Sequence, residues 1–190
     1  MNFKLRILSM PEADERRRRV KAMMTTVPNY DWSFWDAVKP SELSIKYDER
    51  DALRRYGSIL SDAEISCAAS HISIIKDFLK DDCEYLAVME DDVLLDPEFN
   101  FRKMTAFMDI CEVDYLKMYA RFLIPAEFIH FIDRTVIYRA KWPPLGTQLY
   151  ILSKGGARLL VEKFSLSGLY APIDHMMDRY WNTGLPIVLA

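Results

Sequence analysis

The sequence predicts an α/β fold, a mostly parallel sheet flanked by helices, and three observations carry that expectation. Short apolar runs alternate with segments of helical periodicity, helix-start signals follow those runs closely, and one run, Tyr85-Leu86-Ala87-Val88-Met89, is apolar with no polar alternation. A strand without a polar face is one covered on both faces, as in the middle of a helix-flanked parallel sheet.

Taken in order, residues 3–9 read as an apolar strand. The acidic opening and basic run that follow, from Pro11 through Asp14-Glu15 to Arg16-Arg17-Arg18-Arg19, suit a helix over residues 11–26. The aromatic stretch 32–38 is a second strand, closed by Pro40, and residues 40–60 are polar and expected to be irregular. Ser61 and Glu64 form a capping box, after which Ile65, Ala68, Ala69, Ile72, Ile75 and Leu79 recur at helical spacing, predicting a helix over residues 62–80. The strand at 85–89 runs directly into Glu90-Asp91-Asp92. Asp96-Pro97 resembles a helix start, which places a helix at 97–111 and a strand at 113–119. Residues 120–145 are less regular, with 136–140 extended and Trp142-Pro143-Pro144 a break. A strand at 146–153, a helix at 154–164 and a short helix at 172–181 complete the pattern. Residues 186–190 begin a strand that stops without a cap or polar tail, the expected mark of a domain truncated at its C-terminus.

Composition narrows the class. With 190 residues, 51% of them hydrophobic, the chain can bury one sizeable core, so residues 1–190 are expected to be a single domain. Twenty-five basic against 28 acidic residues leave a net charge of −3, which argues against nucleic acid as a partner. The three cysteines, Cys67, Cys83 and Cys111, are odd in number and lack CxxC or CxxH spacing, so neither a disulfide framework nor a zinc site is expected. Residues 1–9 are too short for a signal peptide, and no apolar run approaches the roughly 20 residues that span a bilayer. The expectation is a soluble cytoplasmic protein.

The acidic triplet is the feature with chemistry in it. Residues i and i+2 of a strand share a face, so Glu90 and Asp92 are expected to converge while Asp91 points away. Three carboxylates at a strand's carboxyl end repel unless a cation offsets them, and ligands of open α/β sheets bind at those ends. Mg²⁺ or Mn²⁺ takes one or two protein carboxylates and fills its other positions with water and phosphate oxygens. The plain alternative is a solvated acidic turn.

Several segments, in order, resemble glycosyltransferase family 25, the lipopolysaccharide-biosynthesis type of galactosyltransferase domain. They are Asp14-Glu15-Arg16-Arg17, Phe34-Trp35-Asp36-Ala37-Val38, the stretch from Leu60 through Glu64 and Cys67 to Ser70-His71, Val88-Met89-Glu90-Asp91-Asp92-Val93, Asp114-Tyr115-Leu116-Lys117, Gly146-Thr147-Gln148-Leu149-Tyr150 and Pro172-Ile173-Asp174. The resemblance implies a GT-A type nucleotide-diphospho-sugar transferase fold. It also implies a UDP-sugar donor such as UDP-galactose, Mn²⁺ or Mg²⁺ as cofactor, inversion at the anomeric carbon, and a glycan or lipid-linked saccharide acceptor, with peripheral contact to the inner face of the cytoplasmic membrane left open. Ala63 and Ser66 stand where the family usually has glycine, and Lys39-Pro40 where it has Asp-Gly.

The expected roles follow from that resemblance and from residue chemistry. Glu90 and Asp92 hold the metal. Asp174 is the candidate base that takes the acceptor hydroxyl's proton, although Asp after Pro-Ile also suits a helix start, and His175 is the alternative base. Asp36, at a strand end, is expected on the nucleotide, and Arg16 on the diphosphate, against the ordinary alternatives of a turn residue and a solvated basic face. Ser70, His71, Lys117 and Asp91 complete the expected donor site. Thr147 and Gln148 are placed on the acceptor, and Glu64 is read chiefly as a cap. Two other functions stay open: a non-catalytic nucleotide- or glycan-binding domain of the same fold, and a metal-dependent phosphoryl transferase, the latter without any GxxxxGK[ST] loop.

Overall fold

In a computed structural model, which describes residues 2–190, the chain forms one eight-stranded sheet with helices on both faces. Its elements are β1 (Phe3–Ser9), α1 (Asp14–Met24), β2 (Trp32–Asp36), α2 (Glu49–Arg55), α3 (Asp62–Phe78), β3 (Tyr85–Glu90), α4 (Phe101–Ile110), β4 (Tyr115–Lys117), β5 (Ala126–Ile132), β6 (Thr135–Ala140), β7 (Leu149–Ser153), α5 (Lys154–Ser167), α6 (Ile173–Met177), α7 (Tyr180–Thr183) and β8 (Val188–Leu189). The strand order is β2-β1-β3-β7-β4-β8-β6-β5. Pairings β1–β2, β1–β3 and β4–β8 are parallel, whereas β7 enters antiparallel between β3 and β4, and β6 pairs antiparallel with both β5 and β8. The helix-flanked α/β architecture is as expected. The sheet itself is mixed, its parallel portion concentrated where β1, β2 and β3 lie together.

The central strand β3 explains the layering. Leu86, Ala87, Val88 and Met89 are all fully buried. Leu86 and Val88 face a core built with Ile72 and Ile75 of α3 and Leu160 and Phe164 of α5. Ala87 and Met89 face the opposite core, with Val20 of α1 and Phe101 and Met108 of α4. Burying each large side chain of this kind contributes roughly 1.5–3 kcal/mol before chain entropy opposes it, so the unbroken apolar run makes β3 the spine of the fold. The turn of the chain from β2 back across β1 to β3 puts α1 and α3 on opposite faces. A crevice therefore opens at the carboxyl ends of β1 and β3.

Local signals held where they were strong and shifted where a competitor existed. Ser61 accepts from the Glu64 N–H and the Glu64 carboxylate accepts from the Ser61 N–H, so α3 starts where its capping box predicts. The helix expected from residue 97 starts instead at Phe101, because Asn100 caps it through Arg102 and Lys103, while Asp96 binds the Glu98 N–H in a separate turn. Residues 11–13 remain outside α1. The supposedly irregular 40–60 segment contains a short 3-10 turn, Pro40–Glu42, and α2, whose start Asp48 caps by accepting from the Asp51 N–H. The 120–145 segment holds the β5–β6 hairpin, and the helix expected over 172–181 is two short ones, α6 and α7.

Candidate active site

At the carboxyl ends of β1, β2 and β3 lies a cleft of about 480 Å³, lined by Ser9, Met10, Arg16, Ala37, Val38, Ala63, Ser66, Cys67, Ser70, Glu90 and Asp91, among others. Its walls are cross-braced. Asp91 Oδ2 accepts from Ser9 Oγ at 2.6 Å, and Arg16 Nη1 lies 3.0 Å from Asp91 Oδ1. Arg17 donates to the Ser9 and Met10 carbonyls and pairs with the exposed Asp36, so the β1 and β2 ends are tied together. Ser70 is buried, donates to the Ser66 carbonyl at 2.7 Å and accepts from the Val38 N–H at 3.0 Å. It shapes the wall through backbone contacts.

A second cavity of about 240 Å³ lies on the far side of Glu90, lined by Glu64, Cys67, Glu90, Arg121, Gly146, Thr147, Gln148, Asp174 and His175, with Tyr56, Pro172 and Ile173. Thr147 Oγ1 donates to Glu90 Oε1 at 2.7 Å, and the buried Gln148 Oε1 has no hydrogen-bond partner among the described residues. Asp174 is 7% exposed; its two oxygens accept from the N–H groups of Gly146 and His175, each at 2.9 Å. The Arg121 guanidinium lies 4.0 Å from the same carboxylate. Leu145 and Gly146 both have positive φ, 57° and 83°, and their consecutive N–H groups are captured by Asp178 and Asp174. Two acids from the 173–178 region thus hold the turn that presents Thr147 and Gln148. Glycine suits position 146 because a Cβ there would meet Gln148 Oε1 and the Tyr119 ring at about 2.5 Å.

The structure brings Arg16, Asp91 and Ser70 to the first cavity and Thr147, Gln148 and Asp174 to the second, with Glu90 shared between them. It corrects the placement of Lys117. That ammonium is fully buried and paired with Asp178 at 2.6 Å, so it lines neither cavity and cannot meet a donor. Desolvation lets such a cation turn inward only with a partner, and β4, which carries Lys117, lies inside the sheet between β7 and β8. Asp36 lines neither cavity and is taken up by Arg17.

The triplet also differs in geometry from a simple strand end. β3 stops at Glu90, and Asp91 and Asp92 form a turn, so strand alternation does not place Glu90 and Asp92 side by side. Glu90 points toward α3: His71 Nε2 lies 3.4 Å from Glu90 Oε1. Burial pushes the Glu90 carboxyl upward, but the neighbouring His71 and the Thr147 hydrogen bond outweigh it, and its pKa is lowered. Burial disfavours a charged His71, while Tyr150, Cys67 and Glu90 favour it, and the net direction is upward. Asp92 is exposed and has no ion-pair partner among the described residues; partial shielding of its carboxyl, then the Glu90 charge, raise its pKa. A carboxylate crowded by like charge and lacking its own cation fits Mg²⁺ or Mn²⁺, which need only one or two protein oxygens beside phosphate and water. Among the described residues the triplet's three carboxylates do not cluster as a three-ligand metal cage.

Residues 3–177 match the family model described as glycosyltransferase family 25 (LPS biosynthesis protein). The chain belongs to glycosyltransferase family 25. It is therefore an enzyme that moves a sugar from a donor to an acceptor. It is 28% identical, over 95% of its length and 69% of the relative's, to the lacto-N-neotetraose biosynthesis glycosyltransferase LgtE of Neisseria meningitidis serogroup B (strain ATCC BAA-335 / MC58). The LgtE protein of Neisseria gonorrhoeae is 27% identical over the same shares. Two solved structures share the fold at 11% identity, each over 100% of this chain and 82% of the other: A197 from STIV, with a TM-score of 0.55, and a glycosyltransferase involved in glycosylation of the major capsid of PBCV-1, with a TM-score of 0.53. The fold of this family 25 chain is thereby GT-A type. No helix among its described residues is long and apolar enough to cross a membrane.

Three residues of this family 25 site had no role assigned from sequence. Arg121 comes from a segment with no clear periodicity, and its approach to Asp174 depends on the fold of residues 120–145. Asp178 is one helical turn from Asp174, a spacing that places both acids on one face. Cys67 stands four residues before His71 on α3, and that i,i+4 spacing was available as a signal.

Proposed function

We propose that this domain is a metal-dependent inverting hexosyltransferase, moving a sugar, galactose by resemblance, from a UDP-sugar to a lipopolysaccharide-type glycan acceptor. What carries the proposal is the pair of cavities that meet at Glu90 and Cys67. One lies at the switch point of the parallel strands, the place where nucleotides bind in such sheets. The other contains a buried carboxylate, a guanidinium and an unpaired amide oxygen, groups suited to sugar hydroxyls.

In this assignment the nucleotide occupies the cleft between Ser9-Met10 and Ala37-Val38, and Arg16 moves from Asp91 toward the diphosphate, for which a guanidinium is geometrically suited. Asp92, with Glu90 nearby, would hold Mn²⁺ or Mg²⁺, which would supply charge neutralisation to the departing diphosphate. Asp174 accepts the proton of the acceptor hydroxyl as that oxygen attacks the anomeric carbon. Gly146 and His175 N–H groups hold the Asp174 carboxylate in one orientation, and Thr147 and Gln148 position the acceptor. The free thiols Cys67, Cys83 and Cys111 favour a reducing compartment, and we place the enzyme on the cytoplasmic side, meeting a membrane-borne acceptor peripherally.

Turnover of UDP-galactose, UDP-glucose and UDP-N-acetylglucosamine, with Mn²⁺ and with chelator, tests the reading. The expected outcome is metal-dependent transfer to a lipopolysaccharide-type glycan acceptor, with a β linkage formed from an α-linked donor. Asp92→Ala should lose donor and metal binding while keeping its folded circular dichroism spectrum. Full transferase activity and metal affinity in Asp92→Ala would refute the assignment.

A further inference from the structure

Cys67 Sγ, a ring nitrogen of His71 and a carboxylate oxygen of Glu90 lie within 4.8 Å of one another, the one group of three such ligand atoms among the described residues. Cys67 and His71 are four residues apart on α3 and so share a face, and Glu90 approaches from the end of β3. His71 is fully buried, and its Nε2 has no hydrogen-bond partner, aimed as it is at this cluster. A buried ring nitrogen without a hydrogen bond is unfavourable, and an ion bridging Nε2 and the Glu90 oxygen 3.4 Å away would satisfy it.

The spacing suits a small ion. Nitrogen and oxygen ligands at roughly 2.0–2.2 Å from one tetrahedral zinc lie about 3.3–3.5 Å apart, and Nε2 and Oε1 are 3.4 Å apart. A sulfur ligand at about 2.3 Å sits roughly 3.6 Å from the other two, so Cys67 closes a gap of at most about 1.2 Å to reach its place. The supporting contacts are those of a metal site. His71 Nδ1 is 2.9 Å from Tyr150 Oη, which with the proton on Nδ1 leaves Nε2 free to ligate, and Thr147 Oγ1 orients Glu90.

We infer that Cys67, His71 and Glu90 form a site for a borderline-soft divalent cation, Zn²⁺ by chemistry, separate from the diphosphate-bound ion at Asp92. A thiolate and an imidazole select zinc over magnesium or manganese, whose preference is for oxygen. Binding takes Cys67 as thiolate and releases its proton to solvent. The three protein ligands leave one tetrahedral position toward the cavities that Cys67 and Glu90 line, where water or a sugar hydroxyl completes the set.

The test uses the purified chain with Cys111→Ser, which removes the exposed thiol, stripped by chelator and titrated with Co²⁺ at pH 8 without donor or acceptor. The expected result is one equivalent bound, with a thiolate-to-cobalt charge-transfer band and tetrahedral d–d bands, both displaced by Zn²⁺. Cys67→Ser should abolish the charge-transfer band and weaken binding at least tenfold, and Glu90→Gln should weaken binding while the band persists. Should His71→Ala fail to fold, Cys67→Ser and Glu90→Gln still decide the matter, because both are near-isosteric. Absence of a saturable site, or a charge-transfer band unchanged in Cys67→Ser, overturns the inference. Because the readout is optical and needs no turnover, it can fail while sugar transfer succeeds, and the reverse.

Discussion

Lys117 Nζ and Asp178 Oδ2 stand 2.6 Å apart with both side chains fully buried, joining β4 to the segment that follows α6. Asp178 also accepts from Tyr115 Oη at 2.9 Å and from the Leu145 N–H at 2.8 Å. Burial lowers the Lys117 pKa and raises that of Asp178, so desolvation weighs against both charges even though each stabilises the other. Removing one partner leaves the other as a buried, uncompensated charge. Lys117→Met is therefore expected to cost about 3–5 kcal/mol in urea denaturation, more than the lost methylene packing explains. An unchanged denaturation midpoint would mean that the pair does not form.

Asp174→Asn separates chemistry from architecture. The asparagine amide oxygen can still accept from Gly146 while the His175 N–H loses its acceptor, so the turn at 145–146 is expected to survive with about 1–3 kcal/mol of destabilisation. Removal of a positioned base should lower kcat by roughly 10²–10⁴-fold. A kcat within twofold of the parent would move the base role elsewhere.

Gly146→Ala tests the turn itself. With φ at 83° and a Cβ driven into Gln148 Oε1 and the Tyr119 ring, the substitution is strained both in backbone and in packing. We expect a loss of more than about 1 kcal/mol and a raised KM for acceptor, because Thr147 and Gln148 are displaced with the turn. If acceptor KM and thermal midpoint both stay at parent values, the second cavity is not the acceptor site.

The His175 imidazole has a lowered pKa, first through burial, partly opposed by the Asp174 charge. Its ring packs edge-on to Tyr56 at 5.2 Å. The unfolded chain then binds this proton at a higher pH than the folded chain does. Stability is thus expected to fall as pH drops through 6.5 toward the lowered folded value. His175→Gln should lose less stability than the parent between about pH 7.5 and pH 5.5 in paired denaturation curves. An NMR titration of His175 with a midpoint above the model-peptide value contradicts this sign.

Much of the site was legible because it depends on local chemistry. The capping box of α3, the apolar run of β3 and the acidic triplet at its end are statements about neighbouring residues, and the structure keeps each at its place. The separate fates of the three acids were not legible. Strand alternation paired Glu90 with Asp92, but β3 ends at Glu90, two residues short of Asp92, and Glu90 turns to His71 and Thr147 while Asp91 turns to Ser9 and Arg16.

By itself, the sequence determined the α/β class, the central place of the 85–89 strand, the start of α3 and the family, because periodicity, capping and motif order are carried by residues close together in the chain. Only the tertiary structure decided that β7 enters antiparallel, that Lys117 is buried on Asp178 rather than offered to a donor, and that Cys67 and His71 meet Glu90. Those outcomes join residues 19 to 68 positions apart, and such pairings follow from how whole elements pack, which no local pattern encodes.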